Sequence, residues 1–185
     1  MDINEPLHGQ IHLWMITAVI ILSYLAVVGN KYWAGRHGED RRATKIVLGT
    51  ILLFYFCIYA YLTFFYRTPM EEIHIKLEPF WSYREAFRDG DIVRLGVARS
   101  ILLNIAITIP LGFLLPGVYG CSKHKYGLSF LTILLLSLAT ELIQLLTRTG
   151  LAETDDVINN VIGGAIGIIG YWVFDKKYGS GGTKP

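Results

Sequence analysis

Five apolar runs, each 18 to 20 residues long, constrain this 185-residue chain more than any other feature: residues 11–28, 46–65, 97–115, 128–146 and 157–174. A helix rises about 1.5 Å per residue, so each run is long enough to cross a hydrocarbon core roughly 30 Å thick. Inside lipid every backbone N–H and C=O must be satisfied within the protein, which leaves helices as the form for such runs. The expected fold is therefore all-α, a polytopic membrane bundle of five transmembrane helices. Composition agrees, with 52% hydrophobic and 17% charged residues, where soluble domains carry about 25% charged. A soluble catalytic domain, a disulfide scaffold and a nucleic-acid binder are excluded on the same grounds.

The net charge of +2 conceals an asymmetry that appears when the segments between runs are assigned to alternate sides of a membrane. With the N-terminus outside, the inner segments 29–45, 116–127 and 175–185 hold ten Lys or Arg against Glu39, Asp40 and Asp175. The outer segments are net acidic. Positive charge gathers on the cytoplasmic side, so the expected placement is a multi-pass plasma-membrane protein with an external N-terminus and a cytoplasmic C-terminus. Asp2 and Glu5, with no basic neighbour, do not resemble the basic start of a cleavable signal peptide. Cys57 falls mid-run and Cys121 in an inner segment, so no disulfide is expected.

The first two runs read as lipid-facing packing helices, with Trp14, Tyr32 and Trp33 at belt positions of the first and no Asp, Glu, Lys, Arg or His in the second. The outer segment 66–96 is too long for a simple connection. Pro79 suits a first helical turn, and Phe80, Tyr83 and Phe87 fall at i, i+3 and i+7, which predicts an external helix lying on the outer leaflet. Its role is either a structural cap or a contact with ligand.

The last three runs carry one-sided polar stripes. Ser100, Asn104 and Thr108 step by four before Pro110 and Gly112; Ser137, Glu141, Gln144 and Arg148 are spaced 4, 3 and 4; Asp156, Asn160, Gly163, Gly167 and Gly170 are spaced 4, 3, 4 and 3. Counting inward at about 1.5 Å per residue, Asn104 and Glu141 lie roughly 10 Å below the outer boundary and Asn160 about 5 Å, with Arg148, Asp155 and Asp156 at the rim. A carboxylate left without a polar partner at that depth is costly, so Glu141 is expected to face the bundle interior.

These residues also resemble a family. Leu77-Glu78-Pro79-Phe80, Asn104 followed by Pro110-Leu111-Gly112, Glu141 and Gln144, Arg148, and Asp155-Asp156 followed by Asn160, Gly163, Gly164 and Gly167 together look like the VanZ family. The resemblance covers residues 77–170 and places a VanZ-like domain at 77–174, preceded by two helices within 1–76 and followed by a tail at 175–185. Thr108 departs from it, standing where the family often has Phe. The resemblance implies an accessory membrane protein that raises resistance to the lipoglycopeptide teicoplanin, largely without rebuilding the peptidoglycan precursor. It supplies no molecular mechanism.

On the residues alone, Asn104, Glu141, Gln144, Arg148, Asp155, Asp156 and Asn160 are candidate ligand contacts at an outward-opening polar cavity. Each has a structural alternative: satisfied interhelical amides, a buried Glu141–Arg148 network bridged by Gln144, or acidic residues complementing a helix dipole. Pro110, Gly112, Gly163, Gly167 and Gly170 read as helix-packing residues. Three function classes fit: a protein that binds or handles an amphiphilic ligand or cell-wall lipid precursor at the outer leaflet, a membrane-surface enzyme using the three acids on a lipid or phospholipid-linked substrate, or a proton-coupled transporter or flippase around Glu141. The first is preferred, with membrane lipids as partners, no cofactor, no metal and no nucleic acid expected. The absence of a Ser-His or Cys-His pairing weighs against the second. The oligomeric state is left open.

Overall fold

The computed structural model describes residues 41–65, 75–88, 92–120, 122–150 and 152–178, together with Leu25 and Gly29. The first apolar run, apart from Leu25, and with it Trp14, Tyr32 and Trp33, lies outside the described residues. Helix α1 spans Arg41–Ala60 and continues as a π-helical turn, Tyr61–Phe65. A two-residue strand β1 (Ile75–Lys76) and a short helix α2 (Trp81–Ala86) lead into α3 (Ile92–Tyr119). Helix α4 (Lys125–Thr147), strand β2 (Ala152–Glu153) and helix α5 (Thr154–Tyr178) complete the order. The strands pair in parallel, Ile75 with Ala152 and Lys76 with Glu153.

Among the described residues three helices are long and apolar enough to cross a membrane: Leu95–Tyr119, Lys125–Thr147 and Thr154–Lys177. They contain the last three apolar runs and exceed them at both ends. In the second run the apolar α-helix proper is Ile46–Ala60. Helix α3 runs unbroken through Pro110 and Pro116, as membrane helices do when neighbours satisfy the backbone groups a proline releases. Gly120, at φ 62°, then ends it in the left-handed conformation that costs glycine least.

Packing contacts fix the relative directions of the helices. Gly163 and Gly167 meet the Ile105 and Ile109 carbonyls, so α5 runs parallel to α3. Lys125 bonds Asp175 and Ser137 bonds Asn160, so α4 runs antiparallel to α5. Leu48 packs with Leu114 and Phe174, and the Tyr55 hydroxyl donates to the Ile107 carbonyl, so α1 runs antiparallel to α3. One end of the bundle therefore gathers the start of α1, the end of α3, the start of α4 and the end of α5. The other end gathers the acidic first turn of α5 and the segment from β1 through α2.

Helix α1 differs from its reading as a plain lipid-facing helix. Tyr55 and Tyr59 are buried with Leu111, Leu115 and Ile133 in the core. The Tyr59 hydroxyl shares a 3.0 Å hydrogen bond with Thr140 Oγ1. Leu53, Phe54 and Phe56 on its other side are exposed, as lipid-facing residues would be. An aromatic-rich run hid this division, because tyrosine counts as apolar while its hydroxyl still demands a partner.

Candidate functional site

The site begins with the close approach of α3 and α5. A Cβ on Gly112 would lie 2.0 Å from the Gly164 carbonyl oxygen, one on Gly163 2.0 Å from the Ile105 oxygen, and one on Gly167 2.1 Å from the Ile109 oxygen. Only glycine permits this backbone contact, and it brings the polar residues one or two turns nearer the start of α5 within reach of one another. Gly170 is different, since its Cβ would meet only Phe113 ring atoms at 3.6 and 4.0 Å.

Above the glycines, Asn104 Nδ2 donates to Asp156 Oδ1 at 2.5 Å, joining α3 to α5. Asn160, one turn deeper than Asp156, is buried and donates to Ser137 Oγ at 3.0 Å, joining α5 to α4. Glu141 is 9% exposed and its Oε2 accepts the Glu153 N–H at 3.0 Å. It thus faces the bundle, and it holds β2 at the start of α5. Asn104, Ser137, Glu141, Asp156 and Asn160 form one polar layer across three helices, at the end of the bundle that carries the segment from β1 through α2.

Three expected members lie elsewhere. Gln144 is buried but turns to α1, where Nε2 donates to the Thr63 carbonyl at 3.4 Å. Arg148 is exposed and stands at φ 58° where α4 ends, with the Thr149 N–H returning to the Gln144 carbonyl at 3.1 Å. The helical spacing that aligned Arg148 with Glu141 does not apply past Thr147, so the expected bridged pair is replaced by a C-terminal cap. Asp155 is fully buried, away from any rim. Its Oδ1 accepts the Phe80 N–H at 2.5 Å, and its Oδ2 accepts the Ser82 N–H at 2.8 Å and the Ser82 hydroxyl at 2.6 Å.

Asp155 therefore clamps the segment 75–88 onto the first turn of α5. Phe80, at φ 62°, is held in a conformation that a bulky residue rarely adopts, and the donated N–H accounts for it. The helix begins two residues after Pro79, at Trp81, because Asp155 rather than proline organises its start. Its buried face is Ser82 and Ala86, while Phe80 and Phe87 are exposed. Thr154 Oγ1 adds a 3.2 Å bond to the Leu77 carbonyl, and Lys76 Nζ sits 3.5 Å from the centre of the Trp81 ring. The Tyr83 hydroxyl donates to Asn159 Oδ1. Burial, reinforced by the nearby Asp155 carboxylate, raises the Tyr83 phenol above the ordinary tyrosine value and keeps it a donor.

Asn159 was not legible as a site residue, although Asp155 and Asn159 repeat, one position earlier, the four-residue step of Asp156 and Asn160. The two stripes serve different partners: 155 and 159 face the cap, 156 and 160 face α3 and α4. Among the described residues, Gln144 Oε1, Asn159 Nδ2, Asn160 Oδ1 and Trp81 Nε1 are buried without a hydrogen-bond partner. Half-satisfied amides of this kind are costly in a structural core and useful where hydroxyl, amine or amide groups of a ligand are to be received. Among the described residues no trio of His, Cys, Asp or Glu converges as a metal site.

Comparison with known proteins bears on the whole of this assembly. A family model described as VanZ/LLP1 matches residues 47–175, from within α1 to the Asp175 of α5. Neither the curated proteins nor the solved structures give a match. Since the matched segment is 129 of the 185 residues and contains the glycine contact, the polar layer and the capped end, the chain belongs to the VanZ/LLP1 family.

Proposed function

We propose that this protein spans the plasma membrane five times, with the N-terminus and the 75–88 cap outside, and lowers susceptibility to teicoplanin-type lipoglycopeptides by binding an amphiphilic ligand or cell-wall lipid at the outer leaflet. The carrying observation is the polar layer of Asn104, Glu141, Asp156 and Asn160, which includes the buried unpartnered Oδ1 of Asn160, at the capped end of otherwise apolar helices. Two carboxylates and several amides, set between apolar helix faces, suit a ligand with a polar head and an acyl chain. The orientation is supported by the count of basic residues in the sequence: with the N-terminus outside, the inner segments 29–45, 116–127 and 175–185 hold ten Lys or Arg, against seven on the outer side.

In this reading the cap is a fixed roof, stapled by Asp155, and the layer beneath it receives hydroxyl, amine or amide groups of the head. The test is equilibrium binding of teicoplanin, and of its deacylated form, to the purified full-length protein in nanodiscs. Saturable binding of the acylated compound, at least about tenfold weaker without the acyl chain, is expected. Equal retention by empty nanodiscs would refute it.

A further inference from the structure

At the end of the bundle opposite the cap, Lys125 Nζ bonds Asp175 Oδ2 at 2.7 Å, joining the start of α4 to the end of α5. The same ammonium lies 5.0 and 5.5 Å from the centres of the Tyr126 and Tyr171 rings. This contact draws Lys123, two residues before it, and Lys176, one residue after Asp175, to the same corner. Both are exposed, and neither has a carboxylate partner among the described residues. Lys176 Nζ instead lies over the Trp172 ring at 4.7 Å, and Trp172 is 46% exposed. The corner thus holds an internally neutralised pair, Lys125 with Asp175, flanked by two uncompensated cations and an exposed indole one turn nearer the apolar surface.

We propose that this corner is a docking site for an anionic phospholipid. Lys123 and Lys176 hold the phosphate-bearing headgroup, and Trp172, at the level where a span meets water, packs against the upper part of the acyl chains. Charge complementarity selects this occupant: two unpaired lysines at the end of apolar helices meet headgroups before any other anion, and indole is enriched at that boundary. The paired Lys125 and Asp175 keep the start of α4 and the end of α5 together, which puts Lys123 and Lys176 at the same end of the bundle without ligand. The inference needs no assignment of which side faces the cytoplasm, so its failure and the failure of the proposed orientation are separate results.

The experiment is native mass spectrometry of the full-length protein in detergent, with phosphatidylglycerol and phosphatidylcholine of identical acyl chains added in equal amounts. Preferential retention of phosphatidylglycerol is expected, falling with added salt. The Lys123→Gln/Lys176→Gln double variant should weaken that retention about 30-fold. Arg84→Gln, at the other end, should leave it unchanged. Equal retention of the two lipids, or an equal loss in Arg84→Gln, overturns the proposal. Displacement of the lipid by glycerol phosphate at the same concentration would also overturn it, by making the site one for a soluble phosphate.

Discussion

Alanine at Gly112 or Gly167 is expected to separate α3 from α5. The new Cβ at 112 lies 2.0 Å from the Gly164 carbonyl oxygen, and at 167 it lies 2.1 Å from the Ile109 oxygen. Ordinary carbon–oxygen contact between helices is about 3.3 Å, so the backbones must part by roughly 1.2 to 1.3 Å. No side chain can give way, because the obstructing atoms are main-chain. The cost falls at the upper end of core overpacking, about 3 kcal/mol, which corresponds to a melting shift of roughly 6 to 12 °C for a chain of this size. Gly170→Ala is the internal control: its Cβ meets only Phe113 ring atoms at 3.6 Å or more, so the melting temperature should hold or rise slightly as helix propensity improves. The assay is thermal unfolding in detergent, read by monodispersity on size exclusion. A Gly112→Ala protein as stable as wild type, or a Gly170→Ala protein as damaged as Gly112→Ala, would refute the backbone-contact account.

Asp155→Asn replaces one acceptor oxygen with a donor that must face the Phe80 N–H or the Ser82 pair; a loss of about 1 to 3 kcal/mol in local stability should raise hydrogen exchange in 75–88 roughly 5-fold to 150-fold, with the spans unaffected. Arg148→Gln removes an exposed side chain and should change stability by no more than about 0.5 kcal/mol, measured by the same thermal assay. Tyr59→Phe loses the hydroxyl bond to Thr140 and should cost about 0.6 kcal/mol, the usual worth of an interhelical hydrogen bond in a membrane, giving a shift of roughly 2 °C or less.

Much of the bundle was legible because lipid leaves polar residues one place to go. The four-residue steps through Asn104, Ser137, Glu141, Asp156 and Asn160 placed them inward, and the structure joins them through Asn104–Asp156, Asn160–Ser137 and Glu141–Glu153. Gly163 and Gly167 were legible for the same reason, since small residues recurring on one face have little use except close approach. Periodicity failed where its premise ended. Arg148 lies past the last residue of α4, and Gly170 remains helical where the neighbour on α3 is the Phe113 ring instead of backbone. The cap was least legible, because Asp155 meets Phe80 and Ser82, and Asn159 meets Tyr83, across 73 to 76 residues of sequence. No local spacing encodes such contacts. Gln144 shared a stripe with Glu141 but sits at the margin of that face, where the π-helical turn of α1 offers the Thr63 carbonyl.

The central claim is that the charge of the buried layer has a role in protection beyond holding the helices together. Glu141→Gln keeps an oxygen able to accept the Glu153 N–H, and Asp156→Asn keeps one able to accept from Asn104, so both variants retain the observed bonds while removing charge. The decisive measurement is teicoplanin susceptibility of cells producing each variant, normalised to membrane abundance and set beside Gly163→Leu, which blocks packing against Ile105. The account predicts loss of protection at normal abundance for both charge-removing variants, and loss through low abundance for Gly163→Leu. Wild-type protection from Glu141→Gln and Asp156→Asn would contradict it.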